Sequence, residues 1–248
     1  MKLNKSLMKK IVFFLLITVP IFFIAQTTDT IKQKRFAIGV NFSPDYCYRN
    51  FIQTQRITNN SQDYYVYNEL PKYGYTTGFT FDVNLSKHFI LETALFFADK
   101  GINMNENTYA QINSNGTRDL YSSTKTKFHN YFLDIPIKAN INILSKRFKL
   151  YVSTGASLNL VLGYKKVSEV SYPNQQPTNI IISNYNASHQ SPFSITLLLG
   201  IGASYELNKK IALKIEPIYR QSLNSTFQLK SDGIFYSIGT NVGLNFRF

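Results

Sequence analysis

What most constrains this chain is a period of two that recurs over long stretches. Residues 193–207 carry Phe193, Ile195, Leu197, Leu199, Ile201, Ala203, Tyr205 and Leu207 on the odd positions. Between them stand Ser194, Thr196, Leu198, Gly200, Gly202, Ser204 and Glu206. Side chains of a strand alternate between two faces, so this pattern predicts a strand whose faces meet different surroundings. The alternation marks eight stretches, roughly 35–44, 73–85, 88–99, 129–144, 147–163, 192–207, 210–222 and 235–248.

Fixing the apolar parity of each stretch locates its charges. Asp82, Glu92, Asp134, Lys138, Lys149, Glu206, Lys214, Glu216, Arg220 and Arg247 all fall on the other parity, five acids against five bases. No charge is expected on the apolar face. A Lys or Arg facing mid-bilayer lipid costs about 2–4 kcal/mol, so lipid enforces such a vacancy. The strand glycines share the charged parity, as the cramped interior of a small barrel favours. A soluble sandwich also alternates, but its strands run shorter than these.

The connections separate the two architectures further. Short basic turns follow strands two, four and six: Leu85-Ser86-Lys87-His88, Leu144-Ser145-Lys146-Arg147 and Leu207-Asn208-Lys209-Lys210. The other connections, about 45–72, 100–128, 164–191 and 223–234, are long. An even barrel with both termini in the periplasm predicts this order. The expected fold is all-β: an eight-stranded antiparallel up-and-down transmembrane β-barrel with short periplasmic turns and long extracellular loops. The expected location is the bacterial outer membrane.

The N-terminus agrees with export. Lys2, Lys5, Lys9 and Lys10 precede an apolar run from Ile11 to Ala25, the layout of a signal peptide. The expected domains are a signal peptide over 1–25, a short periplasmic segment over 26–34 and the barrel over 35–248. Cleavage removes four lysines and no acid, so 27 basic residues fall to 23 against 14 acidic, a net charge of +9. After Ala25 no apolar run reaches the length of a membrane-spanning helix.

The layout resembles the PorT-like small outer-membrane β-barrel proteins. The residues that carry the resemblance are Ala25-Gln26, the segment YFLDIPIKANI (131–141), the hairpins NLSKHF and ELNKKI, and the C-terminal GLNFRF. Asp134 stands where that family usually has Glu. The resemblance implies a barrel over nearly the whole mature chain, and for the family's namesake a role in a protein-secretion apparatus. It also implies that Phe246 and Phe248 form the C-terminal signal read by the barrel-assembly machinery.

Chemistry-bearing residues are few. The single Cys47 permits no internal disulfide and no thiolate cluster. His88, His129 and His189 form no HExxH motif, and no metal, cofactor or catalytic residue is expected. A hydrolase at the outer leaflet needs a Ser–His or Asp–His pair, for which His129 with Ser122 or Ser123 is the available combination. The inward charges are expected to pair through a lumen that eight strands leave filled by side chains. Pro136, facing inward, is expected to mark a bulge. Tyrosine-rich outer segments such as DYCYRNF (45–51) and SQDYYVYNEL (61–70) suit either recognition or a hydrated, girdle-forming cap.

The function expected is that of a structural or interaction component, with a secretion complex as one version. The alternative is a narrow transport pore or a lipid-modifying enzyme. Expected partners are outer-membrane lipids, including outer-leaflet lipid phosphates, the barrel-assembly machinery and secretion-complex proteins. No nucleic-acid motif is present, and the positive charge needs none.

Overall fold

The computed structural model describes residues 35–51, 69–112, 118–145, 147–172, 175–184, 192–224 and 233–248. The expected signal peptide and the 26–34 segment lie outside the described residues. Among the described residues all regular structure is strand: β1 (Phe36–Phe51), β2 (Glu69–Leu70), β3 (Lys72–Asn84), β4 (Phe89–Ile112), β5 (Arg118–Ser145), β6 (Phe148–Tyr172), β7 (Gln175–Asn184), β8 (Phe193–Glu206), β9 (Ile211–Ser222) and β10 (Gly233–Arg247).

Eight strands close a ring in the order β4-β3-β1-β10-β9-β8-β6-β5, and β5 returns to β4. Every pairing is antiparallel. The short β2 and the ten-residue β7 add to the far ends of β4 and β6.

One rim gathers the short connections, Arg35 and the C-terminal Phe248. Asn84 N donates to Arg35 O at 2.8 Å, Arg247 N to Lys210 O at 2.8 Å, and Phe248 N to Phe36 O at 3.0 Å. Two of the turns there are held by their own side chains, as short polar residues permit. Ser86 Oγ accepts from the amides of His88 and Phe89, and Asn208 Oδ1 from those of Lys210 and Ile211.

The distribution of polarity is inverted relative to a soluble protein. Val40, Phe79, Ile137 and Ile201 are 52, 63, 61 and 67% exposed, whereas Glu92, Lys138 and Glu216 are at most 2% exposed. Water makes that arrangement unfavourable and hydrocarbon makes it favourable. Inward glycines let strands and side chains approach: a Cβ on Gly155 would stand 2.2 Å from Ile137 O and 2.8 Å from Lys138 Cα.

Three expectations change. Much of the stretches 45–72, 100–128 and 164–191, read as loops, is strand: β1 runs to Phe51, β4 and β5 pair out to Ile112 and Arg118, and β6 and β7 pair beyond Gly163. These ends continue a ladder already begun, so backbone pairing extends them where the apolar alternation fades. Pro136 shifts no register. It stands opposite Ser157, and only the pairing with β4 is interrupted there. The registry shift near it lies between Tyr131 and Phe132. Lastly, the apolar parity does carry a charge. Asp99 lies opposite Tyr75 and Tyr131 and shares their parity. It is tolerated midway along β4, where the apolar row stops, because Lys72 and His129 reach it.

Candidate functional site: the charged lumen and its outer rim

Alternation from different strands aims the inward charges at one axis, where they meet in layers. Near the turn-bearing rim, Glu206 of β8 binds Lys149 of β6 at 3.1 Å and Arg247 of β10. In the middle, Glu92 of β4, Lys138 of β5, Lys214 and Glu216 of β9 form one cluster. Lys138 Nζ lies 3.0 Å from Glu92 Oε1 and 2.8 Å from Glu216 Oε2, and Lys214 Nζ donates to Glu92 Oε2. β4 and β9 stand four places apart in an eight-membered ring, so the Lys214–Glu92 bond crosses the full width of the barrel.

Neutral donors complete the cluster, as buried carboxylates require. Ser153 Oγ and Asn241 Nδ2 donate to Glu216 at 2.5 and 2.7 Å, and Asn140 Nδ2 donates to Glu92 at 2.8 Å. Lys214 Nζ also lies 5.2 Å from the centre of the Tyr151 ring, a cation–π distance.

Above this layer Arg220 Nη1 donates to Asp45 Oδ1 at 2.7 Å, and its Nη2 donates to Asn241 Oδ1 at 2.8 Å. Ser43 and Thr76 also donate to Asp45, at 2.7 and 2.5 Å. Lys100 pairs with Asp134 at 2.7 Å, and Asn159 donates to the other oxygen of Asp134. Asp82 accepts from Asn245 at 2.7 Å, while its Oδ1 has no hydrogen-bond partner. Voids along this axis measure about 30, 20 and 30 Å³, room for a water rather than a solute.

Several charged residues of this network escape a reading by strand boundaries. Asp45, Lys72, Asp99 and Lys100 lie at or beyond the ends at which the apolar alternation stops. A signal existed for Asp45. It continues the parity of Asn41 and Ser43, but Pro44 interrupts the pattern between them. Arg49 and Glu69, both placed in the 45–72 loop, bind each other near the outer end.

The histidines part company. His88 Nδ1 lies 3.2 Å from Asn142 O in the turn rim, and His189 lies outside the described residues. His129 Nδ1 is 2.9 Å from both Asp99 Oδ2 and Lys72 Nζ, and Lys72 Nζ donates to Asp99 Oδ1 at 2.6 Å. That nitrogen either donates to Asp99 or accepts from Lys72, not both together. Ser122 and Ser123 lie seven and six residues along β5 from His129. Among the described residues no His, Cys, Asp and Glu group has a metal-binding arrangement. Cys47 is buried, 1% exposed, above Gly74.

At the turn-bearing rim Phe248 packs its ring 6.4 Å from that of Phe36, which stacks on Phe81 at 5.9 Å. Phe246 points outward from β10 and is 47% exposed.

The family model described as outer membrane protein beta-barrel domain matches residues 24–228. Among curated proteins none matches this chain. Among solved structures it is similar to Neisserial surface protein A, with 13% identity, 86% of this chain and 97% of that one covered, and a TM-score of 0.41. It is also similar to Ail, the attachment invasion locus protein of Yersinia pestis (10% identity, 87% and 100% covered, TM-score 0.37). OprG from Pseudomonas aeruginosa is a third (12% identity, 88% and 97% covered, TM-score 0.37).

Proposed function

This chain belongs to the outer membrane protein beta-barrel domain family of bacterial outer-membrane proteins, and we propose that within it the protein is a closed, non-catalytic barrel serving as a structural or interaction component. A PorT-like role in a protein-secretion apparatus is the specific version we favour, on the residues of 131–141 and the C-terminal strand. Phe246 and Phe248 serve, in this reading, as the signal for the barrel-assembly machinery.

One observation carries the proposal. The Lys138–Glu216 and Lys214–Glu92 bonds join strands three and four places apart in the ring through side chains that neighbours already satisfy. A solute path would have to break them, at several kcal/mol for each buried charge left unpaired. With the lumen closed, the surfaces left to work are the far ends of β4, β5, β6 and β7, which extend past the ring.

The test combines two measurements on the same protein. In planar bilayers the wild type is expected to give no discrete conductance steps. In mild-detergent outer membranes, a tag in the 223–234 connection is expected to report migration in a large assembly with a cross-linkable neighbour. Stable unitary conductance altered by Glu216→Gln would replace this reading with a pore. Migration as a lone barrel would remove the apparatus.

A further inference from the structure

The outward row of β5 changes character along its length. From the turn-bearing rim it runs Ile143, Ile141, Ala139, Ile137, Ile135 and Leu133, then Tyr131, then His129, Lys127 and Lys125. At about 3.3 Å per residue and a tilt of about 40°, Ile143 to Leu133 covers about 25 Å of barrel height, the height of a lipid-facing band. Tyr131 then falls at the interface, stacked on Phe97 at 5.8 Å and on His129 at 6.1 Å. Lys127 stands about 10 Å higher, at the level of lipid headgroups.

A bulge in β6 adds to this row. Tyr131 pairs with Gly163, but Phe132 pairs with Val161, so Leu162 is the extra residue and the parity of β6 flips above it. Lys165, Val167 and Glu169 thereby stand opposite His129, Lys127 and Lys125 on the outward face. The inward face receives Ser168, hydrogen-bonded to Thr126 at 3.1 Å, and Lys166, whose Nζ lies 5.9 Å from the Phe128 ring centre. Without the bulge, Lys165 would point into the lumen.

We infer that Lys127 and Lys165, with His129 and Lys125 beside them, form a site for the phosphate of an outer-leaflet lipid. Lys127 and Lys165 are diagonal neighbours across the β5–β6 ladder, close enough to share one phosphate between two ammonium groups. Of the acids nearby, Asp99 beside His129 is already paired with Lys72 at 2.6 Å, and Glu169 lies 3.6 Å from Lys127, with both side chains about half exposed (52 and 40%). An exposed pair of that length is weak and yields to a phosphate. A Cβ on Gly163 would meet nothing within 4 Å, so a notch opens beside Tyr131 directly below Lys165. An acyl chain descending from the phosphate would lie along the aliphatic row. That continuity from cations through an aromatic to hydrocarbon argues for a lipid over a soluble anion.

The inference rests on the membrane placement of the barrel and is independent of any assembly partner. The test uses the full mature barrel folded in detergent, its fold checked by the mobility shift between unheated and boiled samples. Binding of a bisphosphorylated glucosamine lipid is measured by native mass spectrometry, beside the same lipid dephosphorylated and inorganic phosphate as competitor. Expected are binding that needs the lipid phosphate, a loss of tenfold or more in Lys127→Gln/Lys165→Gln, retention in Lys127→Arg/Lys165→Arg, and no change in the opposite-rim control Lys209→Gln/Lys210→Gln. Equal binding of the dephosphorylated lipid, or unchanged binding by the Gln double variant, would overturn the site. Full displacement by millimolar inorganic phosphate would overturn its assignment to a lipid.

Discussion

Lys138 and Glu216 face each other across the lumen at 2.8 and 3.0 Å, with their side chains 2 and 1% exposed. They come from β5 and β9, three places apart in the ring. Removing Glu216 leaves Lys138 and Lys214 sharing Glu92, an uncompensated buried positive charge. Glu216→Leu is expected to destabilise the barrel by about 3–5 kcal/mol. Lys138→Met/Glu216→Leu, which leaves Lys214 with Glu92, is expected to cost less than the sum of the two single changes. Denaturant titration of the folded barrel in lipid vesicles checks this, and additive costs would refute the coupling.

Asp82 is the contrasting carboxylate. It has one hydrogen bond, from Asn245, and one unpartnered oxygen. Asp82→Asn keeps the shape and removes a charge with no contacting cation, so stability is expected to move by less than about 1 kcal/mol. A loss as large as that of Glu216→Leu would show that Asp82 holds the cluster electrostatically.

Two glycines of β6 should respond in opposite ways. Gly155→Val would drive a side chain into the backbone of Ile137 and Lys138 and force β5 away, at about 1–3 kcal/mol. Gly163→Ala meets open space and is expected to stay within about 0.5 kcal/mol of wild type. Parallel unfolding curves check the pair, and a reversed order would mean that β5 and β6 are paired differently.

The outward face should rank substitutions by height. Ile137, 61% exposed and central in the aliphatic row of β5, is expected to cost about 2–4 kcal/mol as Ile137→Arg. Tyr73, 82% exposed at the outer end of β3 with its ring 5.3 Å from that of Tyr46, is expected to cost only about 0–1 kcal/mol as Tyr73→Arg. Folding yield into vesicles and unfolding free energy measure both. Equal costs at the two heights would contradict a bilayer centred on Ile137.

The amino-acid sequence by itself determined the class of fold and the two faces of each strand. A period of two needs no knowledge of neighbours, and lipid leaves few ways to satisfy strands that are oily on one side. It also placed the ten inward charges on the polar parity, because parity is a local property. Tertiary structure alone decided who meets whom. Glu92 and Lys214 are 122 residues apart, and their bond depends on the ring order and on how far each strand slides against the next. The strand ends were equally hidden. Asp45 enters the lumen and Asp99 takes the outward parity because ladders persist after the apolar pattern has faded, and backbone hydrogen bonds carry no side-chain signature. The same holds for Lys165. Only the extra residue Leu162, visible in the pairing of β5 with β6, turns that lysine from the lumen to the outer face.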